Sequence, residues 1–352
     1  MITEQQEGIT SPSGVVISGL SVAYPVVGGD PVLAVDDVSL SVHPGKITAV
    51  VGESGCGKST LARALLRLPP GRILAGSVEL DGINVVDLRP EELRRVRGRR
   101  ISMIFQNPST SMNPLLTIRD QLADSYVAHW PKASSDEVDE RVVEVMEQLG
   151  IPRGRLDSYP HELSGGMTQR VMIGMGLICG ADYIIADEPT TSLDVLVEDG
   201  FMVGLHDLCR TTGTGVMLVS HNMGLVAMWS DYIAVMYSGR IVEYGTADSV
   251  LDNQRHPYTR ALVGATPSLG REIDELVRLP GVPANPGAPP PGCAFHPRCP
   301  VAGPICSEAK PQITELGAVS TASHMVACLR YEVEFDQHFP EPVGMLPEVE
   351  GS

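Results

Sequence analysis

The sequence has little positive charge. Its 26 lysines and arginines are outnumbered by 43 aspartates and glutamates, which gives a formal net charge of −17 at pH 7. A nucleic-acid-binding surface needs a basic stripe to contact phosphates. The densest basic run, residues 94–100, is better interpreted as a solvated face or a protein contact. We therefore expect no nucleic-acid partner.

Long apolar runs are also absent. No stretch approaches the ~18 apolar residues of a membrane span. Residues 1–14 are polar and lack the charged start and apolar core of a secretion signal. We expect a soluble, intracellular chain that can dock on a membrane protein. At 352 residues it is long enough for about two or three domains.

The sequence does contain a phosphate-binding loop. Residues 52–60 fit the pattern G-x-x-x-x-G-K-[ST], after an apolar stretch (47–51) that predicts a buried strand and before one (61–66) that predicts a helix. In this context converging N–H groups and Lys58 bind phosphates, and Ser59 offers a hydroxyl to Mg²⁺. The predicted nucleotide contacts are Gly52, Ser54, Gly55, Cys56, Gly57, Lys58, Ser59 and Thr60.

An antiparallel β layer is predicted ahead of this loop. Residues 15–24 and 34–42 have strand patterns and are separated by a turn at 28–31. Tyr24 ends the first strand and is a candidate for stacking on a nucleobase. Taken alone, a tyrosine in this place is equally a packing residue.

Three predicted core strands end in polar residues. The strands are residues 101–105, followed by Gln106; residues 183–186, followed by Asp187 and Glu188; and residues 216–219, followed by Ser220 and His221. Ligands of open α/β sheets gather outside the carboxyl ends of the strands, so these side chains are expected to meet. Asp187 suits Mg²⁺ and Glu188 suits an attacking water. In isolation, Gln106 could cap its strand and His221 could be structural.

The region from about 108 to 180 changes to helical patterns. Residues 134–137 predict a capping box. Apolar side chains then recur at helical spacing, at Val138, Val142, Val145, Met146 and Leu149. Further on, Ser164 can cap a helix while Gly165 and Gly166 expose N–H groups, which predicts a second anion-binding turn.

In order and spacing, these features over residues 15–250 resemble the nucleotide-binding subunit of ATP-binding-cassette transporters. The resemblance implies an α/β P-loop NTPase fold, with a RecA-like core, an antiparallel β layer and a helical subdomain at about 108–180. It identifies the A-loop Tyr24, Walker A at 52–60, Q-loop Gln106, signature 163–167, Walker B Asp187 and Glu188, D-loop Asp194 and switch His221. Met167 departs from the glutamine that the family often has, and we expect ATP binding to survive this change.

The resemblance also implies that two cassettes share each ATP. Walker A of one cassette would face Ser164, Gly165, Gly166 and Asp194 of the other, so the chain needs a second cassette, which we expect to be a sister subunit. The catalytic residues would be Lys58, Gln106, Glu188 and His221, with Ser59, Gln106 and Asp187 at Mg²⁺. In the family's scheme, Glu188 orients or deprotonates water.

The tail is rich in proline and cysteine. Six prolines between positions 280 and 291 predict an extended segment. Four of the seven cysteines follow, with spacing C-x₅-C-x₆-C-x₂₁-C, at Cys293, Cys299, Cys306 and Cys328. Four clustered thiols suit an iron–sulfur cluster or zinc. Neither of the short spacings is the C-x₂-C expected of zinc, so the residues alone do not decide between the two groups. Four unliganded thiols remain an alternative.

With its His-Pro-Tyr-Thr stretch at 256–259 and Cys-x-Phe-x-Pro-Arg-Cys-Pro at 293–300, the tail resembles the C-terminal extension of oligopeptide/dipeptide importer ATPases, some of which carry a [4Fe–4S] cluster. This implies iron–sulfur rather than zinc. The predicted organisation is a flexible start (1–14), an ATPase domain (15–250), a linker with the Pro-rich segment (251–291), a Cys-rich domain (292–335) and a flexible tail (336–352).

The resulting interpretation is the ATPase subunit of a bacterial ABC importer of peptides, at the cytoplasmic face of the cell membrane. Two permease subunits and an external solute-binding protein would be partners, and nickel or an oligosaccharide is an alternative solute. A soluble cassette acting on ribosomes or DNA is a rival. Ribosome-acting proteins of this kind usually hold two cassettes in one chain. The DNA-repair type inserts a long coiled coil between Walker A and the signature, and residues 57–163 leave no room for it. A redox-sensing regulator is a third hypothesis.

Overall fold

The computed structural model describes residues 14–26, 28–106, 112–191, 195–266, 281–285, 287–316 and 324–332. The strands are β1 Val15–Tyr24, β2 Val32–Val42, β3 Ile47–Val51, β4 Arg72–Leu80, β5 Ile83–Asn84, β6 Ile101–Ile104, β7 Tyr183–Asp187, β8 Gly215–Ser220, β9 Tyr232–Tyr237, β10 Arg240–Thr246, β11 Thr314–Leu316 and β12 His324–Val326. The helices are α1 Lys58–Leu65, α2 Pro90–Val96, α3 Ile118–Val127, α4 Ser135–Gln148, α5 Gly165–Leu177, α6 Val195–Thr212, α7 Met223–Trp229, α8 Ala247–Asp252 and α9 Pro257–Gly264.

The main sheet positions the candidate site. Across the described ranges its strand order is β11-β12-β10-β9-β3-β8-β7-β6, and neighbours from β9 to β6 run parallel. Every residue of β3 and β8 is buried, as expected for parallel strands covered on both faces. The carboxyl ends of β3, β6, β7 and β8 therefore lie at one edge.

A second sheet covers the helix after the phosphate-binding loop. It has the order β2-β1-β4-β5 and is antiparallel throughout. Leu20 and Val38 of this sheet share a buried cluster with Leu61 of α1 and Val50 of β3. Burying that apolar surface is the main force that holds the layer over the core. The predicted antiparallel layer is confirmed.

The helices α3 to α5 form the predicted helical block. Ser134 Oγ accepts from the Glu137 N–H at 3.3 Å, and the Glu137 carboxylate accepts from the Ser134 N–H at 2.7 Å, which confirms the capping box. The apolar positions predicted for the same face of this helix are all buried, at Val138, Val142, Val145, Met146 and Leu149. α4 itself ends at Gln148, so Leu149 contributes from the C-cap.

The described residues from 251 onwards, called the C-terminal segment below, pack closely against the cassette. Residues 251–291, expected to be a linker, include the helix α9, which His256 caps by accepting from the Tyr258 N–H at 3.0 Å. Tyr258 is fully buried, and this burial explains why the segment is ordered as a helix. β12 pairs with β10, which places residues near Val326 in the main sheet. The described residues 281–285 and 287–291 form neither helix nor strand.

Candidate nucleotide-binding site

The predicted phosphate-binding loop lies between β3 and α1. Gly52 and Gly57 have φ angles of 154° and 109°. A Cβ atom would lie 2.2 Å from the Met236 carbonyl oxygen at the first position and 2.3 Å from the Ala34 carbonyl oxygen at the second. Only glycine fits this close approach of backbones. Lys58 folds over the loop, and its Nζ donates to the Gly52 carbonyl oxygen at 2.8 Å.

Cys56 occupies the middle of the loop but faces inward. Its side chain is 6% exposed and belongs to the buried cluster behind the loop. Burial raises the pKa of the thiol. The sulfur of this residue, which was predicted to contact nucleotide, therefore faces the core, and Cys56 is not part of the described lining of the cleft.

Ser59 and Asp187 meet at the start of α1. Ser59 Oγ donates to Asp187 Oδ1 at 2.8 Å, although the residues are far apart in sequence. Asp187 is 2% exposed, and burial raises its pKa above the ordinary value. A buried carboxylate beside a hydroxyl is a favourable pair of oxygen ligands for Mg²⁺.

Glu188 lies at the centre of a polar group formed by three strand ends. Its Oε2 accepts from Gln106 Nε2 at 3.2 Å and from Thr191 Oγ1 at 3.1 Å. His221 Nδ1 lies 3.4 Å from the same oxygen. The structure thus brings Gln106, Glu188 and His221 together, as the strand-end argument predicted.

The backbone at Glu188 is strained. Its φ is 45°, a left-handed conformation that costs a residue with a side chain roughly 1–2 kcal/mol. The Glu188 N–H donates to the Val219 carbonyl oxygen at 3.0 Å, which holds the turn against β8. Strain of this kind is concentrated at functional sites, and here it directs the carboxylate towards Gln106 and His221.

An open cleft of about 440 Å³ joins these groups. Its lining includes Tyr24, Val32, Ala34, Ser54, Gly55, Gly57, Lys58, Ser59, Thr60, Gln106 and Glu188. Tyr24 Oη forms a hydrogen bond of 2.8 Å with Thr60 Oγ1, which fixes the ring at the mouth of the loop. The aromatic face is therefore placed next to the phosphate-binding residues.

The second predicted anion-binding turn is well formed but separate. Ser164 Oγ accepts from the Met167 N–H at 3.4 Å and caps α5. A Cβ atom at Gly165 or Gly166 would meet nothing within 4 Å, so the turn is open. None of these residues lines the cleft as the described residues form it. Asp194 lies outside the described residues.

One contact to the loop escaped sequence reasoning. Arg298 Nη1 and Nη2 donate to the Glu53 carboxylate at 2.6 and 3.0 Å, joining the Cys-rich segment to the loop. Two features of the sequence could have indicated this contact. Glu53 is a charged residue at a variable position of the loop pattern, and Arg298 is an arginine directly before Cys299. Neither residue indicates its partner.

The four C-terminal cysteines line one small cavity, together with His256, His296 and Phe295 among others. Burial raises the pKa of all four thiols, to about 12 for Cys299 and Cys328. Within the described ranges, no three His, Cys, Asp or Glu side chains converge tightly enough to hold one metal ion. The cavity that the thiols line has a volume of only about 20 Å³, room for about one water molecule.

Comparison with known proteins identifies the family. Residues 35–191 match the ABC transporter family, and residues 242–306 match the oligopeptide/dipeptide transporter C-terminal region. The chain is 38% identical over 317 residues to the dipeptide transport ATP-binding protein DppD of Bacillus subtilis, covering 89% of this chain and 93% of DppD. The chain belongs to the ABC transporter family, in its oligopeptide/dipeptide branch. A second relative in the family, the oligopeptide transport ATP-binding protein AppD of B. subtilis, is 37% identical over 310 residues (87% of this chain, 93% of AppD).

A solved structure of an ABC cassette has the same fold. The dimeric, post-hydrolysis structure of the ATP-binding cassette MJ0796 bound to ADP and Pi is 26% identical, with a TM-score of 0.59, and covers 66% of this chain and 98% of that one. Membership of the ABC family makes this chain an ATPase that binds ATP with Mg²⁺. The part of the chain that the structure describes contains no helix long and apolar enough to cross a membrane.

Proposed function

We propose that this chain is the ATP-hydrolysing subunit of a bacterial ABC importer that takes up di- or oligopeptides across the cytoplasmic membrane. The observation that carries this proposal is the meeting of the phosphate-binding loop with Gln106, Asp187, Glu188 and His221 at one sheet edge. The names of its relatives DppD and AppD support a peptide as the solute.

In this proposal each polar group of the cleft has one task. Lys58 and the loop N–H groups bind the ATP phosphates, and Ser59 and Asp187 hold the accompanying Mg²⁺. The side chain of Gln106 would contact the Mg²⁺ or the attacking water beside the phosphates. Glu188 would accept a proton from that water or orient it, and the imidazole of His221, which contacts Glu188, would lie near the terminal phosphate.

Hydrolysis in this proposal belongs to a pair of cassettes. Ser164, Gly165 and Gly166 are not part of the described lining of the chain's own cleft, and the N–H groups of this open turn suit a phosphate presented by another subunit. A sister subunit would complete each site. Closure on ATP and opening after hydrolysis would drive two permease subunits.

The cytoplasmic face of the membrane is the location that this assembly requires. A solute-binding protein outside the cell would deliver the peptide to the permeases. The charge of −17 gives no support to a nucleic-acid partner.

For the four C-terminal cysteines we propose a [4Fe–4S] cluster as the resident group, because four clustered thiols suit such a cluster and the tail resembles that of importer ATPases, some of which carry one. A cluster is larger than one ion, and the cavity of about 20 Å³ between the thiols would have to widen to admit it. When bound, the cluster would supply cross-links between distant parts of the C-terminal segment. Cys293, Cys299, Cys306 and Cys328 would each lose a proton to bind it.

The catalytic assignment is tested by Glu188→Gln in the assembled, purified transporter. We expect ATP turnover to fall by at least about a hundredfold, because the general base is lost, while ATP binding remains. Glu315→Gln is the matched control, because Glu315 is an exposed acid on β11, and it should leave turnover unchanged. Hydrolysis at the normal rate by the Glu188→Gln complex would remove this residue from its proposed task.

The solute is tested by purifying the chain with its permeases and binding protein and identifying the bound ligand by mass spectrometry. A di- or oligopeptide is the expected ligand. A nickel chelate or an oligosaccharide would overturn the peptide assignment and leave the ATPase assignment in place.

The cluster is tested by anaerobic purification of the full chain. Brown protein with about four irons and four sulfides per chain, the stoichiometry of the proposed cluster, is the expected result. Colourless protein with one zinc per chain would sink the cluster assignment.

A further inference from the structure

The C-terminal segment holds the phosphate-binding loop at Glu53. As described above, the Arg298 guanidinium binds both oxygens of the Glu53 carboxylate. The Glu53 N–H donates to Tyr258 Oη at 2.9 Å, and Lys58 Nζ donates to the Glu53 carbonyl oxygen at 3.0 Å. The side chain, the N–H and the carbonyl of this loop residue are thus all engaged.

Arg298 is fixed by its surroundings. Its side chain is only 4% exposed, against 24% for Glu53. Nη1 also donates to Tyr237 Oη at 3.3 Å, and the guanidinium carbon lies 5.9 Å from the Phe295 ring centre. The Tyr237 and Tyr258 rings pack together with centres 4.7 Å apart. These contacts therefore hold the guanidinium in the orientation in which it binds Glu53.

A planar, bidentate pair of this kind fixes geometry as well as charge. Arginine matches both carboxylate oxygens at once, which lysine cannot do. In a buried setting, removing either partner leaves an uncompensated charge. The N–H groups of the loop bind phosphates only when they are correctly oriented, so displacing the loop weakens nucleotide binding.

We propose that Arg298 is a positioning residue for nucleotide binding, which holds the phosphate-binding loop in its receiving conformation through Glu53. Neither Arg298 nor Glu53 is part of the described lining of the cleft. The effect reaches the cleft through Lys58, which is bonded to the Glu53 carbonyl oxygen and lines the cleft itself. The proposal rests on the nucleotide site proposed above.

The same contact links two regions of the molecule. Arg298 lies in a short turn in which its N–H donates to the Phe295 carbonyl oxygen at 2.9 Å. Cys293 and Cys299 flank this turn, and the Cys293 N–H donates to the Cys306 carbonyl oxygen at 2.8 Å. A rearrangement of the cysteines would therefore displace the guanidinium and, through it, the loop.

The test is calorimetric titration of MgADP into the purified full-length chain. Arg298→Met and Glu53→Gln are each expected to raise the Kd about tenfold. The double variant should be no weaker than either single variant, because both remove the same contact. Lys310→Gln is the matched control: it removes another ion pair of the C-terminal segment, to Asp36, and should leave the Kd unchanged.

Two further measurements separate positioning from general stability. Arg298→Lys should recover part of the lost affinity, and in the assembled transporter Arg298→Met should raise the KM for ATP by a larger factor than it lowers kcat. A lower unfolding temperature with an unchanged Kd for MgADP would overturn the proposal. Losses that multiply in the double variant would overturn it as well.

The link to the cysteines is tested by Cys299→Ser in two backgrounds. Combined with native Arg298, it should weaken MgADP binding, and combined with Arg298→Met it should add no further loss. Equal losses in both backgrounds would contradict transmission through Arg298. Iron content measured on the same samples tests the proposed cluster separately. The affinities of the Arg298 and Glu53 variants test the positioning proposal whether or not iron is bound.

Discussion

The nucleotide cleft and the cysteine-lined cavity differ in how much of each site one chain supplies. The cleft is open, with a volume of about 440 Å³, and its lining runs from Tyr24 to Glu188 without including the turn at Ser164. The cavity takes all four thiols from positions between Cys293 and Cys328 and encloses them. In the proposals made above, a second cassette would complete the first site, whereas the second would need no residue from another chain.

The largest expected effect is on the cleft alone. Lys58→Ala should weaken MgADP binding by about a hundredfold, because Lys58 is the one cationic side chain in the described lining of the cleft. Calorimetric titration measures this change, and Lys132→Ala, which removes an exposed lysine, is the control. The iron content of the Lys58→Ala protein should stay at the native value. A parallel loss of iron would break the separation between the two regions.

A change in the cavity should have the reverse pattern. Under the proposed cluster assignment, Cys328→Ser should abolish iron binding and lower the unfolding temperature, because binding of the cluster and folding of the segment would be coupled. The loss of nucleotide affinity should be smaller, about threefold, since it is transmitted only through Arg298. Cys179→Ser, at a partly buried thiol bonded to the Ser125 carbonyl oxygen, should change neither iron content nor affinity. Full iron content in Cys328→Ser would remove this thiol from the ligand set.

The smallest effect concerns the edge of the cleft. Tyr24→Ala should weaken MgADP binding about fivefold, because an aromatic face next to the base is lost. Tyr24→Phe should cost about twofold, since it removes only the hydrogen bond to Thr60. Equal binding by all three proteins would mean that Tyr24 is a packing residue.

The sequence predicted the parts of the site that depend on local rules. The glycines at 52 and 57 follow from the loop pattern, and the meeting of Gln106, Glu188 and His221 follows from the rule that parallel strands end at one edge. Each prediction needed only residue types next to recognisable strands. One boundary differed from its prediction: α1 begins at Lys58, earlier than the apolar stretch at 61–66 indicated.

The features that were missed depend on long-range packing. Glu53 and Arg298 are 245 positions apart, and nothing near either residue specifies the other. The helix α9 was assigned to a linker, although Pro257 at its first turn and His256 as its cap were usable signals. β12 is three residues long, too short for an alternation to be visible, and it is a strand because β10 offers it a pairing edge.

The most direct test of the central claim, that catalysis belongs to a pair of cassettes, is the ATPase rate per chain as a function of protein concentration, with and without the partner cassette. We predict that dilution abolishes turnover and that adding the partner restores it, but that a partner altered at the serine corresponding to Ser164 does not. A rate per chain that stays constant on dilution, in a protein shown to be monomeric, would contradict the account.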